Sequence, residues 1–164
     1  MSGQSWLVVI DGQRIFADPG SDWGSAMWPD AMSAIARLLP EYAGRTLLTR
    51  WVPPAPGERV GSWDAYMAAW PFADRPADDP YFDLVPELVG VDAIVVDAPT
   101  FGKWDAIRQL VGEAPNLVVV GVSTDCCVIS TVLPAADAGA TITVVAAGCA
   151  GSGEENHAAA LAVA

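Results

Sequence analysis

Five short, nearly unbroken apolar runs, each separated from the next by a stretch with helical spacing, constrain this chain more than any other feature. The runs cover residues 6–10, 45–51, 92–97, 116–122 and 140–146 and are rich in Val, Ile and Leu. A strand with one wet face alternates apolar and polar residues. A run without alternation suits a parallel strand buried on both faces. Residues 32–42, 63–70, 104–112, 127–138 and 154–164 carry the helical patterns, with Gly44, Pro71 and Gly139 standing just past three of them. Strand–helix alternation with right-handed crossovers predicts a Rossmann-like, three-layer α/β/α sandwich around a mostly parallel sheet of five to six strands. The proline-rich stretches 53–57 and 74–86 read as loops, too short to separate domains. A chain of 164 residues has the length of one domain, expected here over 1–164.

Composition narrows the functional classes. Eight Lys and Arg against 20 Asp and Glu give a net charge of −12. That sign is wrong for a nucleic-acid backbone and for an anionic membrane surface. Apolar residues reach 52%, enough to offset the ordering entropy that keeps polar chains disordered. No apolar run reaches the ~18 residues of a spanning helix. The start Met1-Ser2-Gly3-Gln4 has no basic region, so no secretory leader is expected. The three cysteines, Cys126, Cys127 and Cys149, form no disulfide framework. A reducing, cytoplasmic location is expected.

In an open parallel sheet the ligand lies off the carboxyl ends of the strands. Those ends are expected at Asp11, Trp51, residues 97–98, 122–123 and 146–147. Two reactive groups fall there. Asp11 ends the first run, and Cys127 follows the fourth and opens a helix. A thiol in the first helical turn is favoured as thiolate, which makes Cys127 the expected most reactive of the three cysteines. A nearby carboxylate could take its proton. The same positions also suit a buried small residue and a loop cap, and both readings stay open at this level.

A wider pattern bears on the choice. Val8-Val9-Ile10-Asp11-Gly12-Gln13, Gly121-Val122-Ser123-Thr124-Asp125-Cys126-Cys127-Val128 and Ala135-Ala136-Asp137-Ala138-Gly139 resemble the isochorismatase-like cysteine hydrolase family. Cys149-Ala150 and Glu154-Glu155-Asn156-His157 fit its C-terminal signature, and the resemblance covers nearly the whole chain. It implies an Asp–Lys–Cys triad with Asp11 as base and Cys127 as nucleophile, and no cofactor. It also implies a non-proline cis peptide at Val122-Ser123, with the amides of Ser123 and Cys127 as oxyanion donors. The family's last strand is expected to be missing here.

The resemblance leaves the lysine in question. Counting back from Phe101-Gly102 puts the family's lysine at Ala98, while Lys103, the only lysine, stands five residues on. Three readings follow: a natural or engineered variant without its lysine, and so impaired; Lys103 as substitute; or a binding relative that no longer catalyses. Nicotinamidases of this family hold a metal after the second strand. Here that stretch is Thr49-Arg50-Trp51-Val52-Pro53 and the chain has one histidine, so no metal site is expected. Gln13, Phe16 and Trp104 are the candidate substrate contacts, and Arg14 and Arg50 could hold a carboxylate. Trp63, Tyr66 and Trp70 share one helix face that suits core or subunit packing. A homo-oligomer, dimer or tetramer, is expected.

The reading that follows is a cofactor-free cysteine hydrolase cleaving a C–N bond in a small-molecule amide or amide-like substrate. Its alternatives are a vinyl-ether hydrolase of isochorismatase type and a non-catalytic small-molecule binder on the same fold.

Overall fold

A computed structural model describes residues 4–164. Met1 to Gly3, where the reading of the leader begins, lie outside the described residues. Strands β1 (Trp6–Ile10), β2 (Thr46–Trp51), β3 (Ile94–Ala98), β4 (Asn116–Val122) and β5 (Thr141–Ala150) form one all-parallel sheet in the order β3-β2-β1-β4-β5. The helices are α1 (Arg14–Ala17), α2 (Trp28–Leu38), α3 (Trp63–Ala69), α4 (Trp104–Val111), α5 (Ile129–Asp137) and α6 (Glu154–Val163). The β1→β2 crossover runs one way across the sheet, whereas β3→β4 and β4→β5 run the other. With right-handed connections, α2 must lie on one face and α4 and α5 on the opposite one. The packing agrees: α2 lies on β4 and β5, while α4 and α5 pack on each other. This is the expected three-layer α/β sandwich.

The central strands are apolar because both faces are covered. Leu7, Val8, Val9 and Ile10 are fully buried, as are Leu47 and Val120. Each such side chain contributes about 1.5–3 kcal/mol by leaving water. Strands β1 and β4 are neighbours although β2 and β3 intervene in sequence, so the chain order reverses between them. That reversal opens a crevice at their carboxyl ends. Gly121 makes the approach possible: its φ is +123°, and a Cβ there would lie 2.2 Å from the Ile10 carbonyl oxygen.

Several boundaries differ from expectation. Helix α2 begins at Trp28, with Pro29 in its first turn, and ends before a 3₁₀ turn at Leu39–Tyr42 containing Pro40. The short α1 carries too few residues for a periodic signal. The expected helix at 127–138 starts as a π turn, Thr124–Val128, and only then becomes α5. Strand β5 runs on to Ala150 past an irregularity, pairing Val144 with Val119 but Cys149 with Gly121. Its rim therefore lies at Ala150 rather than at 146–147. No described helix is long and apolar enough to cross a membrane.

Candidate active site

Asp11 leaves the end of β1 with φ +47°, a left-handed turn in which Asp is one of the tolerated residues. Its side chain is fully buried. One carboxylate oxygen accepts a 2.7 Å hydrogen bond from Thr49 Oγ1 on β2, and the Asp11 amide donates to Thr49 Oγ1 at 3.1 Å. The other oxygen accepts from Lys103 Nζ at 2.8 Å. Lys103 is also fully buried, and Nζ donates to the carbonyls of Thr100 and Phe101 at 2.7 and 2.8 Å. All three ammonium N–H groups are thus engaged.

This corrects the placement of the cation at Ala98. Strand β3 ends at Ala98, opposite Trp51, and its carbonyl accepts from the Val52 amide. Ala98 lines an open cleft of about 840 Å³ with Val52, Pro53 and Arg59, away from Cys127. The chain loops through 99–102 before Lys103, just ahead of α4, sends its stem back to Asp11. The site is not short of its ammonium.

Cys127 sits in the π turn after the Val122–Ser123 peptide, which is cis. Thr131 ties this turn to Lys103: its hydroxyl donates to the Cys127 carbonyl at 2.7 Å and accepts from the Lys103 amide at 2.9 Å. The Cys127 thiol is 1% exposed, and burial pushes it well above the ordinary thiol value. Its hydrogen bond to Cys126 and the Asp11 carboxylate push the same way, while Lys103 opposes them. Cys126, half-buried, is pulled down chiefly by that hydrogen bond. Burial thus acts on this thiol in the direction opposite to that expected of a helix terminus.

Cys127, Cys126 and Ser123 line a cavity of about 220 Å³, smaller than the pockets of drug-sized ligands. Its aromatic wall comes from Phe16, Trp23, Tyr66 and Phe101. Trp23 stacks on Phe16 and meets Phe101 edge-on. Phe16 is thus where the sequence places it. Tyr66, assigned to packing, faces the thiols closely enough that their charge and, above all, burial raise its hydroxyl. Trp23, Phe101, Thr49 and Thr131 had no assigned role. Thr131 carried a signal, being one helical turn after Cys127.

Two candidates do not reach the cavity. Trp104 begins α4 and packs against the core. Gln13 is fully buried, donating to the carbonyls of Trp51 and Phe82 at 2.9 and 2.8 Å and accepting from the Trp51 amide at 2.7 Å. Its amide fixes the end of β2. Gln13→Leu should therefore destabilise the fold by about 1–3 kcal/mol for each backbone group left unpaired. Urea denaturation measures this; unchanged stability with lost ligand binding would return Gln13 to the substrate. Arg50 is paired with Asp97 at 2.6 Å and Arg14 with Asp18 at 3.7 Å, both outside the cavity.

Residues 49–53 do not fit a metal here. Thr49 serves Asp11, Trp51 is core, and His157 on α6 bonds Thr124 Oγ1 at 2.8 Å. Among the described residues no group of three or more His, Cys, Asp or Glu is placed to hold an ion. Cys149 is a buried thiol pushed by desolvation from 9.0 to about 12. The folded state keeps this proton where the unfolded chain releases it. The resulting stability is present below about pH 9 and lost as pH rises toward 12. Cys149→Ala should flatten the alkaline fall in urea midpoint between about pH 9 and 11.

A family model described as the isochorismatase domain matches residues 5–164. No curated protein sequence matches the chain. Among solved structures, a cysteine hydrolase from Pseudomonas syringae pv. phaseolicola is 18% identical with TM-score 0.76, over 90% of this chain and 72% of that one. An isochorismatase-like hydrolase from Alkaliphilus metalliredigens is also 18% identical with TM-score 0.76, over 98% and 87%. A nicotinamidase from Staphylococcus aureus is 16% identical with TM-score 0.72, over 99% and 93%. At these identities the three likenesses speak to the fold.

Proposed function

Because the chain belongs to the isochorismatase family of hydrolases, we propose that it hydrolyses a small amide or amide-like C–N bond through an acyl-enzyme on Cys127. The observation that carries this reading is the buried Asp11–Lys103 pair, tied through Thr131 to the turn whose thiol lines the cavity. A cysteine hydrolase and a nicotinamidase among the similar structures suit it.

Asp11 accepts one hydrogen bond on each oxygen from the side chains around it, which leaves lone pairs free to take a proton. As substrate enters, the Cys127 proton passes to Asp11 and the thiolate attacks the carbonyl carbon, forming the C–S bond. The oxyanion forms beside the amides of Ser123 and Cys127, whose residues both line the cavity. Asp11 returns the proton to the departing nitrogen as the C–N bond breaks. Water then attacks the thioester with Asp11 taking its proton, and the acid leaves as Cys127 recovers its thiol. Lys103 acts by charge: with its three N–H groups engaged it holds Asp11 in place and favours the thiolate.

The test is a panel of small primary and secondary carboxamides with rapid-quench detection of released amine. A burst stoichiometric with enzyme, together with an acyl adduct mapped to Cys127, is expected. Turnover of a vinyl ether that survives Cys127→Ala would overturn the reading in favour of an Asp-dependent hydrolase. Saturable binding without turnover across the panel would favour the binding relative.

A further inference from the structure

The cavity above Cys127 has an unusual charge inventory. Its charged lining residues are Asp22 and Asp125, and among the described residues none of the eight Lys and Arg of the chain lines it. Lys103 is spent on Asp11, Arg50 on Asp97 and Arg14 on Asp18. Asp125 is fixed in the π turn: its two oxygens accept from the Ser152 amide at 2.8 Å and the Ser152 hydroxyl at 2.6 Å. Asp22 stands on the exposed loop directly before Trp23. The rings of Phe16, Trp23, Tyr66 and Phe101 line the same cavity as these two carboxylates.

An anion entering here would lose water against two carboxylates and find no counter-ion side chain. A cation would meet both carboxylates and ring systems that attract positive charge. We propose that the cavity selects substrates bearing a positive charge: a small amine or amidinium compound whose cationic group sits between the aromatic wall and Asp22 and Asp125. This deepens the hydrolase reading and rests on it for the reaction, but not for the binding. The cavity volume of about 220 Å³ limits the molecule to a single small ring or its aliphatic equivalent.

Three probes of nearly equal size separate charge from shape: benzylammonium, benzyl alcohol and benzoate. Titration calorimetry on the Cys127→Ser protein at neutral pH removes turnover from the measurement. Benzylammonium is expected to bind at least tenfold more tightly than benzyl alcohol, and benzoate most weakly. Asp22→Asn, on an exposed loop and safe for folding, should cut the cation's advantage several-fold, and Trp23→Leu should weaken all three. Equal affinity for the three probes, or a preference for benzoate, would overturn the proposal. So would benzylammonium binding unaffected by both variants, which would place the cation elsewhere on an acidic surface. Because these readouts need no catalysis, a failed amide panel with the cation preference intact would count against the hydrolase reading alone. Amide turnover restricted to anionic or neutral substrates would count against the cation proposal alone.

Discussion

Cys127→Ala is expected to lower amide turnover by about 10⁴–10⁶-fold, as loss of a covalent nucleophile does when the rest of the site survives. The fold should tolerate it, because the change removes a single sulfur from a fully buried small side chain. Substrate affinity should persist, since the aromatic wall and the Asp22 and Asp125 carboxylates are untouched. The neighbouring thiol supplies a second readout. The hydrogen bond to Cys126 raises Cys127, so Cys126→Ala should lower the pH at which Cys127 is alkylated by iodoacetamide. Alkylation followed across pH with peptide mapping distinguishes the two cysteines. If Cys127→Ala kept most of the turnover while Asp11→Asn lost it, the acyl-enzyme would be excluded and direct acid–base chemistry by Asp11 would remain.

Physical chemistry decides which parts of this arrangement are legible in the residues. Strands β1 and β4 lie where their apolar runs place them, because strands covered on both faces admit little else. β5 is misjudged at its far end, where an irregular pairing with β4 lets it continue through the polar-looking Gly148 to Ala150. Asp11 and Cys127 are readable because a strand end and the turn after a strand fix their positions locally. Lys103 is legible only as an alternative to Ala98, because its place depends on the path of the 99–102 loop and on a long stem folding back over it. Counting back from Phe101-Gly102 assumes that a side chain acts where its backbone emerges, and a lysine breaks that assumption. Gln13 shows the converse error. A polar residue two positions after Asp11 looks like a ligand contact, yet three backbone groups of distant segments claim its amide. The aromatic wall draws Phe16, Trp23, Tyr66 and Phe101 from separate segments, a juxtaposition created only by tertiary packing.

Lys103→Met should cost both stability and rate. It leaves the buried Asp11 carboxylate with Thr49 as its remaining side-chain partner, and stranding one member of a buried ion pair typically costs about 3–5 kcal/mol. Turnover should fall by roughly 10²–10⁴-fold, the usual contribution of a group that supports proton transfer. Asp11→Asn should also destabilise, since it leaves the buried ammonium facing a neutral amide, and it should abolish turnover by removing the base. The double variant separates the two effects. Asp11→Asn with Lys103→Met removes both charges, so it should be more stable than the sum of the single losses predicts, with a coupling of about 1–3 kcal/mol, while staying inactive. Ala98→Lys is the counter-experiment. Ala98 is buried against Trp51 and lines the outer cleft, so a lysine there should strain that packing and add no turnover. If Ala98→Lys raised the rate by about 10²-fold, or Lys103→Met left it unchanged, the ammonium bonded to Asp11 would be a structural pair. The catalytic cation would then have to come from the end of β3 after all.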